Sequence, residues 1–286
     1  MKICVIGLGL LGGSFALGVR NTLDDVEIIG VDKNPEHSQK ALELGIIDKI
    51  MTMEDAVPQA TIAVIATPVN IIEYQLPFVL DLISPMGVVI DLGSTKGNIC
   101  KAAEDHPKRA RYVATHPIAG TENSGPESAF KGLFRNKTMI ICDREKSDPI
   151  AYQFIKSIFK DLDMQVSYMD SVEHDKHIAY VSHLSHISSF ALGATVLDME
   201  KSEKSIFAMA GSGFSSTVRL AKSSPAMWAP IFEQNAENIS EALGSYIEHL
   251  KSFKEIIDNK DMEKSTQVMN RVNDIRRVLK GIDIKS

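Results

Sequence analysis

The sequence is short of several features that would have narrowed its function at once. It has three cysteines in 286 residues, an odd number with no CxxC spacing, which argues against a disulfide framework. Cys4 and Cys142 lie in apolar runs that read as buried strands, so the thiols are expected as small core residues in a reducing compartment. No stretch approaches the roughly 20 apolar residues that cross a bilayer. The first apolar run, Ile3 to Leu11, is broken by glycines and has neither a basic lead-in nor a cleavage site, so the expected address is cytoplasmic. Positive charge is not in excess. Lys and Arg number 31 against 37 Asp and Glu, a formal net charge of −6, which gives no electrostatic reason to expect nucleic acid or an anionic membrane as partner. There is no internal repeat and no low-complexity tract. What remains, 44% hydrophobic and 24% charged residues, is the composition of a folded globular chain long enough for two domains.

The order of elements is informative. Up to residue 169, short β-branched apolar runs alternate with amphipathic stretches. Strands are expected at Lys2–Ile6, Glu27–Val31, Thr61–Ala66, Gly87–Leu92, Arg111–Thr115, Lys137–Cys142 and Gln165–Tyr168. Helices are expected at Gly12–Asn21, Pro35–Leu44 and Pro149–Leu162, among others. Strands this apolar need both faces covered, which predicts an α/β, doubly wound parallel sheet of the Rossmann type over residues 1–169. Residues 170–286 show only 3.6-residue periodicity and predict an all-helical domain. Its expected helices are about Ser171–Met199, Pro225–Phe253 and Asp261–Leu279, with Met199–Lys204 as a polar loop. The helix around Ser185–Leu197 is apolar and small on nearly all sides, so its own domain or a second subunit must cover it.

Residues 3–14 read Ile-Cys-Val-Ile-Gly-Leu-Gly-Leu-Leu-Gly-Gly-Ser, a strand entering Gly7-x-Gly9-x-x-Gly12 and then a helix. Gly7 suits the tight turn, Gly9 lets backbone approach a pyrophosphate, and Gly12 lets helix and strand pack closely. The pyrophosphate is expected on the N–H groups at the helix start, around Leu10 and Leu11. Asp32, at the end of the second strand and 20 residues beyond Gly12, is placed to hydrogen-bond an adenosine 2′-hydroxyl and to repel a 2′-phosphate. NAD is therefore favoured over NADP, although Lys33 follows directly. Asp32 could alternatively be an ordinary strand-end turn residue.

Ligands of doubly wound sheets collect outside the carboxyl ends of the strands. Thr67-Pro68, Gly93-Ser94-Thr95-Lys96 and His116-Pro117-Ile118-Ala119-Gly120-Thr121 follow three of the expected strands and open on the same edge as the glycine loop. Thr67 and Ser94 are thus expected to face the cofactor, with His116 near its reactive end. A dehydrogenase acting on an alcohol needs a group to take the hydroxyl proton, and imidazole suits that task near neutral pH. Ser94 could orient His116, or Ser94 or Thr95 could N-cap the next helix. His116-Pro117 could instead be a rigid strand exit with a buried imidazole. His174, His177, His183 and His186 fall within thirteen residues, but one straight helix spreads them over opposite faces and no HExxH pattern is present. No metal is expected. Ser182, His183 and His186 share a face suited to a polar substrate, while His174 and His177 can be read as solvated. Arg219, after the small-residue run Ala210–Val218, could clamp a carboxylate or equally be a surface arginine near an acid. Trp228, the only tryptophan, reads as core.

These segments together resemble the prephenate/arogenate dehydrogenase family over essentially the whole chain. The resemblance is carried by residues 7–14, by Asp-Leu-Gly-Ser-Thr-Lys-Gly at 91–97 and by His-Pro-Ile-Ala-Gly-Thr-Glu at 116–122. It continues through His174-Asp-Lys and Ser182-His-Leu-Ser-His186 to Gly213-Phe and Arg219-Leu-Ala. It implies a Rossmann domain followed by a helical dimerisation domain, and a homodimer. It implies NAD-dependent oxidative decarboxylation of prephenate, a small cyclic dicarboxylate, to 4-hydroxyphenylpyruvate on the route to tyrosine. It further implies that His116 is the base on the ring hydroxyl and Ser94 its partner. Thr121, His183 or His186, and Arg219 would line the substrate pocket. Two positions depart from the family pattern: Ser216 replaces an acid three residues before the arginine, and Ser185 replaces a proline. Both bear on prephenate against arogenate as substrate. The competing readings are another dehydrogenase of similar layout, acting on a hydroxyacid or imino acid, and a dinucleotide-sensing module without turnover.

Overall fold

A computed structural model describes residues 1–203 and 205–283. Eight strands, β1 (Lys2–Ile6), β2 (Glu27–Val31), β3 (Lys49–Ile50), β4 (Ile62–Ile65), β5 (Val88–Asp91), β6 (Tyr112–Pro117), β7 (Thr138–Cys142) and β8 (Gln165–Met169), form one sheet. Their order is β3-β2-β1-β4-β5-β6-β7-β8. The helices between them are α1 (Leu10–Thr22), α2 (Pro35–Glu43), α3 (Met53–Ala56), α4 (Val69–Leu82), α5 (Gly97–Ala102) and α6 (Pro149–Asp161). Two apolar clusters, one built on Ile3, Val5 and Phe15 and the other on Cys4, Ile6 and Leu76, fill the space between the sheet and its helices. β1 alternates between the two clusters, as a strand buried on both faces must.

The sheet is not wholly parallel as expected. β6 and β7 pair antiparallel, with His116 opposite Ile140, before β7 and β8 resume parallel pairing. The connection from β6 to β7 holds no crossover helix, only loop and a short 3-10 turn at Pro126–Ser128. A chain that returns without such a helix pairs antiparallel. The two-residue β3 was not foreseen, being too short for any periodicity.

Beyond β8 the described chain is helical: α7 (Ser171–Ile178), α8 (Leu184–Glu200), α9 (Ser212–Val218), α10 (Pro225–Gln234), α11 (Ala236–Asp258), α12 (Met262–Val272) and α13 (Arg276–Asp283). Three expected boundaries move. A π turn at Ala179–His183 separates α7 from α8. The helix expected across Pro225–Phe253 breaks at Asn235. Of the loop expected at Met199–Lys204, Met199 and Glu200 are helical, and Lys204 lies outside the described residues. In α8 only Ser189 is fully buried, while Leu192, Leu197 and Met199 stay exposed. No helix among the described residues is long and apolar enough to cross a membrane.

Candidate active site

Strand order reverses at β1, between β2 and β4, and this is where the glycine loop opens. Gly7 has φ +94°, and a Cβ there would stand 2.7 Å from the Ala66 carbonyl oxygen. A Cβ on Gly12 would come within 2.0 Å of the Gly7 carbonyl oxygen and 3.0 Å of the Ala66 Cβ. A side chain at Gly9 would meet nothing within 4 Å. The turn and the close packing therefore need Gly7 and Gly12, while Gly9 faces open space. α1 starts at Leu10, earlier than expected, with Gly9 as an N-cap that supplies no side-chain acceptor. The first N–H groups of a helix have no partner within it, so those of Leu10 and Leu11 remain available to an anion. The Asp32 carboxylate accepts from Leu8 N (2.8 Å) and Asn34 N (2.9 Å). It thus braces the loop and the following turn, with lone pairs to spare for a hydroxyl. These features fit the pyrophosphate and ribose of a dinucleotide. Thr67 is half-buried after β4, and its hydroxyl donates to Gln75 Oε1 (2.8 Å).

His116 occupies the carboxyl end of β6 and is 7% exposed. Its Nδ1 lies 2.8 Å from His174 Nε2, and His174 Nδ1 lies 2.8 Å from Asp175 Oδ1. A carboxylate only accepts, so His174 Nδ1 carries a hydrogen and the Nε2 of neutral His174 accepts. His116 must then donate from Nδ1, which leaves the lone pair of Nε2 free. Burial first, then the neighbouring His174, Lys96 and His183, hold His116 well below the usual histidine range. It is therefore neutral near pH 7, as a base must be. Asp175 also accepts from Lys96 N (2.7 Å) and Gly97 N (2.8 Å), and so caps α5 from a different helix.

The loop after β5 rests on a buried ion pair. Lys96 Nζ meets Asp91 Oδ2 and donates to the Thr115 carbonyl (2.8 Å), with both charged side chains fully shielded from solvent. Asp91 further accepts from Tyr112 OH (2.7 Å), Gly93 N (3.0 Å) and Thr115 N (3.2 Å). Every acceptor direction is used, the condition under which a buried pair is tolerated.

His174 overturns its reading as a solvated residue: it is 1% exposed and holds His116. The expectation assumed a regular helix, in which the nine residues from His174 to His183 turn the second imidazole about 180° from the first. The π turn at Ala179–His183 changes that phase, and both imidazoles are buried. His177 is exposed beside Glu173. The adjacent His174-Asp175 pair was the only signal in the sequence, and helical projection pointed it the wrong way.

Ser94 is half-buried and makes no hydrogen bond with His116 among the described residues. Neither it nor Thr95 caps α5, whose N-cap position is Lys96. The Thr95 hydroxyl donates instead to Gln234 Oε1 (2.6 Å) at the end of α10. His186 donates from Nδ1 to the Ser182 carbonyl (3.1 Å) and stacks on Trp228, with ring centroids 3.5 Å apart. Trp228 is buried as expected, but as the platform for a histidine. Thr121 is exposed, its hydroxyl accepting from Asn123 N (3.2 Å). Arg219 donates to Glu122 Oε2 (3.3 Å) and is roughly half exposed. Among the described residues no cluster of three or more His, Cys, Asp or Glu side chains could hold a metal ion.

A glycine-loop α/β sheet joined to a helical region, with a neutral histidine at their seam, has the layout of a two-part dehydrogenase. The family model for the prephenate dehydrogenase nucleotide-binding domain matches residues 15–168, and that for the prephenate dehydrogenase dimerization domain matches residues 170–271. Prephenate dehydrogenase of Bacillus subtilis is 30% identical over 281 residues, covering 96% of this chain and 75% of that protein. The crystal structure of prephenate dehydrogenase from A. aeolicus in complex with hydroxyphenyl propionate and NAD+ superposes with a TM-score of 0.87 at 32% identity, covering 98% of each chain. That of Synechocystis arogenate dehydrogenase gives a TM-score of 0.78 at 26% identity, over 98% of this chain and all of that one. The chain belongs to the prephenate dehydrogenase family.

Proposed function

We propose that this protein oxidises and decarboxylates prephenate to 4-hydroxyphenylpyruvate with NAD, residues 1–169 binding the dinucleotide and residues 170–286 forming most of the substrate wall and a homodimer contact. The observation that carries the reading is the line Asp175–His174–His116, which leaves an unprotonated Nε2 on a residue at the carboxyl end of β6, the sheet edge on which the glycine loop also lies. NAD fits the open Gly9 face, the uncapped start of α1 and the Asp32 carboxylate, and when bound it supplies a hydride acceptor.

His116 Nε2 takes the proton of the ring hydroxyl as the hydride leaves its carbon, and the ring carboxylate departs as carbon dioxide. Aromatisation drives the step, so the chain has to orient, accept one proton and match two carboxylates. Asp175 and His174 hold His116 in the tautomer that can accept. Ser94, beside the cofactor, hydrogen-bonds the same hydroxyl. Thr121, His186 and Arg219 face the substrate, with Arg219 exchanging Glu122 for a carboxylate. The uncovered apolar residues of α8, together with the dimerization-domain match, support a second copy as the partner.

Incubating the protein with NAD and prephenate and following NADH absorbance tests the reading, with arogenate and NADP in parallel arms. NADH formation fastest with prephenate is expected. No turnover of either cyclic substrate, with oxidation of a simple hydroxyacid, would overturn it. Arg219→Ala is expected to raise KM for the dicarboxylate by about 10–10²-fold, the worth of one charge-assisted hydrogen bond. An unchanged KM would place the arginine outside the pocket.

A further inference from the structure

His183 is fully buried, yet its Nε2 has no hydrogen-bond partner among the described residues. Its other nitrogen, Nδ1, lies 3.2 Å from Asn235 Nδ2. The same Asn235 nitrogen lies 2.7 Å from the Asp175 backbone carbonyl, and a carbonyl only accepts. That contact identifies the atom as the amide nitrogen, so the atom facing His183 donates. His183 Nδ1 must accept, and the hydrogen of the neutral ring must sit on Nε2. The unpartnered atom is therefore a donor. A buried donor left unmade costs about 1–3 kcal/mol, and this one belongs to a ring near enough to His116 to act on its charge.

Asn235 is itself fixed from several sides. It is the break between α10 and α11, with φ −112° and ψ 27°, and is 3% exposed. Its Oδ1 accepts from Asn238 Nδ2 (2.7 Å). The preceding Gln234 ties the same break to the loop after β5 and to α4, accepting from Thr95 and donating to Glu73 Oε2 (2.8 Å). One helix break thereby connects the loop bearing Ser94, the backbone of the residue that aligns His174, and the ring of His183.

We propose that Asn235 is a positioning residue that holds His183 as a permanent Nε2–H donor for an oxygen acceptor, a carboxylate or carbonyl, of the bound substrate. The assignment deepens the dehydrogenase reading and, for its acceptor, rests on it. The groups facing His183 are Asp175 and His174 on α7 and His186 on α8, with the Trp228 ring at 5.8 Å in a T-shaped contact. Burial, with the two histidines, outweighs Asp175 and lowers His183 to about 4. The ring is thus neutral across the working pH range, and its tautomer alone decides whether it donates.

The test is the imidazole 15N spectrum of the full-length protein without ligands, with His183 assigned by loss of its signals in His183→Gln. The expected result is a protonated Nε2 and an unprotonated Nδ1, with no titration above pH 5. In Asn235→Asp, a nearly isosteric change, the carboxylate should draw a proton to Nδ1 and raise the His183 pKa by about 1–3 pH units. Asn235→Ala should leave a mixture of tautomers. With prephenate and NAD, Asn235→Asp and Asn235→Ala should each raise KM by about tenfold or more, with a smaller change in kcat, the pattern of a lost binding contact. A wild-type ring protonated on Nδ1, or an unaltered tautomer in both variants, overturns the proposal. The expected spectra with no turnover of prephenate would instead discard the substrate and leave the tautomer assignment standing.

Discussion

Replacing His116 with asparagine is expected to lower kcat by about 10²–10⁴-fold while NAD still binds. The asparagine amide can imitate the Nδ1–H that donates to His174 Nε2, so the alignment of α7 against β6 should survive. What it cannot supply is the basic nitrogen. The glycine loop and Asp32 are untouched, because they belong to β1 and β2. Stopped-flow hydride transfer and calorimetric titration with NAD separate the two effects, and a kcat within a few-fold of wild type would remove His116 from proton transfer. The pH dependence follows from the same burial. Because His116 is held well below the usual range, the acid limb of kcat should lie below pH 6.5. The sign for stability is the same. Below about pH 6.5 the unfolded chain takes up protons that His116 and His183 refuse when folded. Stability therefore falls as the pH drops from there toward about 4, the value for His183.

Lys96→Met is expected to cost about 3–5 kcal/mol of stability, the penalty of leaving a buried charge without its counterion. Methionine keeps most of the volume but leaves the Asp91 carboxyl without its counterion in a shielded site, facing three neutral donors from Tyr112, Gly93 and Thr115. The Thr115 carbonyl loses its Lys96 donor as well. Adding Asp91→Asn to Lys96→Met should recover much of the loss, since the double variant buries no net charge. Urea denaturation followed by tryptophan fluorescence reads both, Trp228 being the single reporter. A loss below about 1 kcal/mol for the single variant would show that water or a neighbour compensates Asp91, and the support assigned to the ion pair would be wrong. The pair matters for function because Lys96 N and Gly97 N also carry the Asp175 carboxylate. Disturbing the loop would release the residue that sets the His174 tautomer.

Much of this architecture is legible in residue order. Apolar, β-branched runs mark β1, β2 and β4–β8 to within a residue or two, most sharply in β1 and β4, where burial on both faces leaves little room for polar residues. The glycine loop is legible for a sharper reason: Gly7 and Gly12 sit where a Cβ would collide with backbone, so the spacing is itself a statement about geometry. His116 is legible because it ends a strand on the edge where ligands gather.

The rest was decided by contacts between segments far apart in the chain. The His116 partner comes from position 174 and not from Ser94, because α7 lays His174 against the end of β6, a contact between residues 58 apart that no local propensity encodes. The Asp175 carboxylate caps α5 across the seam. Arg219 waits on Glu122, and Asn235 sets the ring of His183 from 52 residues away. By itself the sequence determined which elements form, that a dinucleotide-shaped loop opens at the sheet's edge, and which side chains could carry a proton. Only the tertiary structure decided which nitrogen of each histidine bears it. A tautomer is set by whatever donor or acceptor lies within about 3 Å of the ring, and that neighbour is chosen by packing.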